Sequence, residues 1–119
     1  MMTRRTTDEL EAWRRVEDEA AHVTAALGAA RERVRVARWR ADDRRQRGEQ
    51  ARLAGQAAFA VGLLDAADAH DLIAHRAEVE VAQLDSRLRA LQRDADVRRA
   101  RVRARRDALR CGCALEDLA

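Results

Sequence analysis

Proline and lysine are both missing from this chain of 119 residues, and Trp13, Trp39 and Phe59 are its only aromatics. Without proline, no residue forces a helix to stop. With so few bulky side chains a thick globular core is hard to build, and a thin helix-on-helix seam is easier. Cysteine is nearly absent too. Cys111 and Cys113 stand in "CGC", which is too little for a disulfide framework. Tetrahedral zinc takes about four ligands, and the three histidines lie far away in the sequence. The pair therefore reads as ordinary thiols at a fraying helix end marked by Gly112.

Long apolar runs are absent as well. The longest stretch, "AAFAVGLL", falls far short of the roughly 20 residues of a membrane span. The opening "MMTRRTTDELEAW" lacks the apolar core of a secretory signal. A cytoplasmic chain with no membrane insertion is the expectation. There is no Gly-rich phosphate loop and no nucleophile–base set in a suitable context. His70, Asp71 and His75 read as the solvated start of a helix after a turn. No catalytic residue, metal or cofactor is expected.

Abundance lies elsewhere. The chain holds 27 alanines and 24 arginines against 21 acids, for a net charge of +3. Ala, Arg, Glu and Leu in such excess indicate long helices or a coiled coil. Arginine and alanine share GC-rich codons, which accounts for the missing lysine; selection for planar, bidentate guanidinium contacts is the alternative. From Trp13 the apolar positions step by three and four through Val16, Ala20, Val23, Leu27, Ala30, Val34, Ala37 and Ala41. That is a heptad seam. Thr7 suits a cap ahead of it, with Asp8, Glu9 and Glu11 at the positive end of the helix dipole.

The seam degrades after Ala41, and Gly48, Gly55 and Gly62 loosen the chain. A second seam follows at Ala67, Ala74, Val81, Leu88, Ala95, Val102 and Leu109, with Ala77, Leu84 and Leu91 between. His70, Arg98 and Arg105 also fall on it. A neighbouring stripe of Val97, Ala100, Ala104, Ala108, Cys111, Leu115 and Leu118 takes over toward the end, as drift against a 3.5-residue repeat would produce. The expected fold is all-α: an elongated antiparallel two-helix coiled-coil hairpin in one domain. Its first helix covers about residues 8–54, the turn about 55–65 and the second helix about 66–117.

Charge decides the pairing. Residues 8–30 carry six acids and two arginines, and residues 31–52 nine arginines and four acids. Residues 53–86 carry six acids and one arginine, and residues 87–119 ten arginines and five acids. Folding the chain back near residue 62 sets each acidic block against a basic one, which flanking charges in coiled coils favour. A parallel dimer of extended chains would stack like on like. Many arginines of "VRRARVRARRDALR" (97–110) then face Asp8, Glu9, Glu11, Glu17, Asp18 and Glu19. Clustered arginine also suits nucleic acid, yet only Trp39 lies in a basic block as a stacking platform.

The closing segment "RLRALQRDADVRRARVRARRDALRCGCALEDLA", with its Ala104-Arg105-Arg106 unit and its Leu115-Glu116-Asp117-Leu118 end, resembles the final helix of the FliJ/YscO family of type III secretion proteins. The opening helix, led by Leu10 and Trp13, is similar to that family's first. The resemblance covers most of the chain. It implies a non-enzymatic central stalk in a flagellar or virulence secretion apparatus. The end carrying both termini would enter the hexameric export ATPase, and the turn would face the export gate protein. Chaperones of secreted substrates are further partners it implies, with a location peripheral to the inner membrane. On that reading the contacts fall to outer-face arginines, Arg14, Arg15, Arg99, Arg103, Arg106 and Arg110. A generic coiled-coil adaptor and an arginine-rich nucleic-acid-binding hairpin are the alternatives.

Overall fold

A computed structural model of the chain describes residues 4–112. Helix α1 runs Arg4–Leu53 and helix α2 runs Ala57–Cys111. The two pack antiparallel as an all-α helical hairpin. Contacts group into two compact units: residues 25–85, which contain the turn, and residues 1–24 with 86–119, which contain both chain ends. No helix among the described residues is long and apolar enough to cross a membrane.

The turn is only three residues long, and Gly55 is the reason. Its φ of 79° lies in the left-handed region, where side chains with a Cβ are strained. Gly55 N–H donates to Arg52 C=O at 3.1 Å, and Gln56 N–H donates to Ala51 C=O at 2.9 Å. That pair of bonds is the Schellman arrangement, which satisfies carbonyls that a helix end would otherwise leave bare. Gln56 C=O then accepts from Ala60 N–H at 2.9 Å, so the same residue opens α2.

The expected turn over 55–65 is therefore corrected. The chain folds back around Gly55 rather than residue 62, α2 starts at Ala57 rather than near 66, and Gly62 sits exposed inside α2. A helical glycine costs only about 1 kcal/mol against alanine, too little to end a helix whose neighbours Ala60 and Leu63 are buried. The first helix is corrected as well. It already includes Arg4, so Thr7 lies within it rather than capping it. Thr6 and Leu10, both buried, extend the seam toward the chain's start.

In the unit of residues 25–85, α1 contributes buried Leu27, Ala30, Ala37, Ala41 and Ala51, and α2 contributes Ala60, Leu63, Ala67, Ala74 and Ala77. Alanine at most contacts lets the backbones approach closely. Gly48 carries this furthest: a Cβ there would lie 3.2 Å from Leu64 Cγ and Cδ2. The first seam thus continues past Ala41 through half-buried Arg44 and buried Gly48 to Ala51. In the other unit, Leu10 and Val23 of α1 are buried, as are Ala95, Val102, Arg105 and Ala108 of α2.

The second seam holds through Val102 and Arg105, and the neighbouring stripe takes over later than expected, only at Ala108. Val97, Ala100 and Ala104 are exposed, and so is Leu109, while Ala108 is buried. Residues Leu115 and Leu118 of that stripe, the Leu115–Leu118 ending and Cys113 lie outside the described residues. Cys111 is disulfide-bonded, where ordinary thiols were expected. Gly112 beside it turns the chain out of the helix at a φ of 71°.

Two glycine substitutions separate cap from seam. At Gly28 a Cβ would meet nothing within 4 Å, so Gly28→Ala is expected to raise stability by up to about 1 kcal/mol. Gly55→Ala forces a Cβ into the left-handed region and is expected to cost about 1–2 kcal/mol. Urea melts followed by circular dichroism should move the two midpoints in opposite directions.

Candidate interaction surface

Seam packing places the ionic groups, and the charge blocks meet as complementarity requires. In the turn-bearing unit Arg33 Nη2 lies 2.7 Å from Glu80, Arg38 pairs with Glu78, and Arg45 pairs with Asp71. In the end-bearing unit Arg87 pairs with Glu19, Arg99 Nη2 lies 3.4 Å from Glu17, and Arg105 Nε lies 2.5 Å from Glu9. Most of these pairs are solvent-exposed and contribute roughly 0–1 kcal/mol each. They act chiefly on register. Arg105 differs, because its side chain is only 6% exposed and that of Glu9 only 23%. Asp8, Glu11 and Asp18, expected to meet the last basic block, are exposed and carry no ion pair among the described residues.

Local pairs occupy the outer face of α1. The Arg35 guanidinium hydrogen-bonds Glu32 and holds its carboxyl below the ordinary value, and Arg52 does the same to Glu49. Whatever these carboxylates add to folding is complete above their ordinary pKa. It is lost as pH falls through the depressed value of the folded state.

Of the last arginine cluster, Arg99 and Arg105 are taken up by the hairpin. Arg103, Arg106 and Arg110 are exposed and hold no ion pair among the described residues. With Arg99 they recur at steps of four, three and four, and so share one face of α2. These four arginines, together with Trp13, Val102 and Asp107, line a cleft of about 320 Å³. Trp13 Nε1 donates to Glu17 Oε1 at 2.8 Å, and the Arg99 guanidinium lies 5.9 Å from the centre of the Trp13 ring. That is within cation–π range. The carboxylate of Glu17 thereby ties indole and guanidinium together.

The six outer-face arginines thus divide. Arg99, Arg103, Arg106 and Arg110 come together. Arg14 and Arg15 are exposed without an ion pair among the described residues, but they do not line this cleft. Arg99 is less available than an outer-face contact should be, since it bridges Glu17 and Asp96. Trp13 was missed as a member of this surface, because in the sequence it lies in an acidic block. Folding back near residue 62 already sets Trp13 against the last basic block, but close to Arg110; the fold-back at Gly55 brings it to Arg99 instead.

The exposed stripe of Val97, Ala100 and Ala104 forms one wall of a second hollow of about 600 Å³, closed by Arg5, Glu9, Arg101 and Arg105. Among the described residues no group of three or more His, Cys, Asp or Glu side chains could hold a metal ion. The cleft therefore offers hydrogen-bond donors, positive charge and one aromatic face, a surface suited to carboxylates or phosphates. Compared with known proteins, the chain matches no protein-family model, no curated protein and no solved structure.

Proposed function

We propose that the chain is a non-enzymatic stalk component of a type III secretion apparatus. Its end-bearing unit docks on the hexameric export ATPase, and its turn-bearing unit faces the export gate. The observation that carries the docking is the set Arg103, Arg106 and Arg110, without an ion pair among the described residues and beside Trp13, while neighbouring arginines are engaged by Glu9 and Glu17. Between its described ends this unit holds fourteen arginines and nine acids. A surplus of that sign steers toward acidic protein surfaces. The secretion assignment itself rests on the likeness of the two helices to the FliJ/YscO pattern. The work done is mechanical: the hairpin promotes ring assembly and couples hydrolysis to export, from the cytoplasmic side of the inner membrane.

Trp13 beside the arginines also favours a second reading, a hairpin that binds nucleic acid, since one indole can stack on a base. One experiment separates the two. The double variant Arg103→Glu with Arg106→Glu should retain its helicity, because both side chains are exposed. It should also lose stimulation of the purified export ATPase. Nucleic-acid binding by the wild-type chain should be weak and fall steeply with salt, by about one log–log unit per phosphate neutralised. Tight, salt-resistant binding to DNA or RNA, with no effect on the ATPase, would overturn the stalk and favour the nucleic-acid hairpin.

A further inference from the structure

The turn-bearing unit carries a second apolar face that its own seam does not use. On α2, Phe59 is 58% exposed, Leu72 and Ile73 are each 50% exposed, and Val79 is 47% exposed. Phe59, Gly62, Ala66, Ala69 and Ile73 step by three, four, three and four residues, a heptad stripe that lies about 100° round the helix from the buried line of Ala60, Leu63, Ala67 and Ala74. A Cβ added at Gly62 would meet nothing within 4 Å. Phe59 and Ile73 are the large apolar members of this stripe, and Leu72 and Val79 flank it about 100–120° round the helix from Ile73; exposed apolar side chains grouped in this way mark an interaction site.

Charge identifies the occupant. Residues 25–85 hold ten arginines and ten acids, so two such units approach without net repulsion. Asp65 and Arg76 border this face, both are exposed, and neither holds an ion pair among the described residues. An antiparallel pairing of two α2 helices with Ala69 on the two-fold axis puts Arg76 of each copy against Gly62 and Asp65 of the other. Gly62 leaves room for the arginine stem, and Asp65 receives the guanidinium. The same register sets Ala66 against Ile73 of the second copy, small against large, and lets the backbones approach at Ala69. The surface is thus complementary to itself, as an isologous interface must be.

We propose that this face is where a second copy of the chain docks, forming an antiparallel dimer through residues 59–79 of α2. The dimer does not depend on the ATPase reading, which concerns the other unit. Sedimentation of the full chain over a concentration series should show a rise from 13.4 kDa toward twice that mass. Arg76→Asp should weaken association by about tenfold or more, through loss of the bridge and like-charge contact with Asp65. Adding Asp65→Arg to Arg76→Asp should restore it, since the charges are only exchanged. In a chain with Cys111 and Cys113 replaced by serine, Ala69→Cys should cross-link to itself on mild oxidation, because a residue on the axis faces its own copy. Ala25→Cys, on the exposed side of α1, should not. A chain that stays monomeric throughout would overturn the proposal. So would association indifferent to Arg76→Asp, or equal cross-linking at both cysteines.

Discussion

Leu27→Asp is expected to abolish cooperative folding of the turn-bearing unit. Leu27 is 3% exposed, and its flanking seam positions, Val23 and Ala30, offer little apolar area to compensate. The substitution loses roughly 1.5–3 kcal/mol of buried leucine. It also leaves a carboxylate facing apolar neighbours, at a cost of several kcal/mol more. Together these match the whole stability of a typical small domain, about 5–15 kcal/mol. Leu88→Asp should do less, because Leu88 is only half-buried and its carboxylate can reach water. Thermal melts followed by helical circular dichroism check the order. A cooperative Leu27→Asp transition within a few degrees of wild type would mean that the seam does not hold the helices.

The second large effect is an asymmetry between partners of one ion pair. Glu9→Ala strands the buried guanidinium of Arg105, and breaking a buried pair from one side costs about 3–5 kcal/mol. Water reaching Glu9, whose side chain is 23% exposed, moves the expectation to about 2–3 kcal/mol. Arg105→Met removes the buried charge, keeps an unbranched side chain in the seam and leaves Glu9 able to turn to solvent. Its expected cost is near zero. Urea midpoints of the two variants should therefore differ widely, with Glu9→Ala far lower. Equal losses would mean that Arg105 contributes through its packed stem rather than through Glu9.

These two sites also show what local pattern conveys. From Trp13 to Ala41 the seam was readable because every three- or four-residue step lands on an apolar side chain, and each of those positions is buried or half-buried. The pairing direction was readable because charge alternates in blocks long enough to survive an error in the turn. The turn itself was not. Gly55 and Gly62 look alike as letters, and only the backbone hydrogen bonds to Ala51 and Arg52 distinguish a cap from a glycine tolerated inside a helix. That displacement hid the cleft, because the meeting of Trp13 with Arg99 depends on register across the hairpin. Arg105 fell on the seam in the sequence, but periodicity does not reveal that Glu9 makes its burial tolerable. The arginines that remain unpaired emerge only after those the hairpin uses are subtracted.

The hairpin requires the chain to fold back at Gly55, so the most direct measurement is a distance between the two helices of the end-bearing unit. Spin labels at Glu11 and Arg103, both exposed, in a chain with Cys111 and Cys113 replaced by serine, report it in dilute protein. Helices packed in contact have axes about 8–10 Å apart, so labels on them should lie within about 20–30 Å. In a single extended helix the same positions would stand about 140 Å apart at 1.5 Å per residue. A sharp distribution near 20–30 Å in the monomer is the expected result, and its absence, with signal only at longer distances or between chains, would contradict the hairpin and the arginine surface built on it.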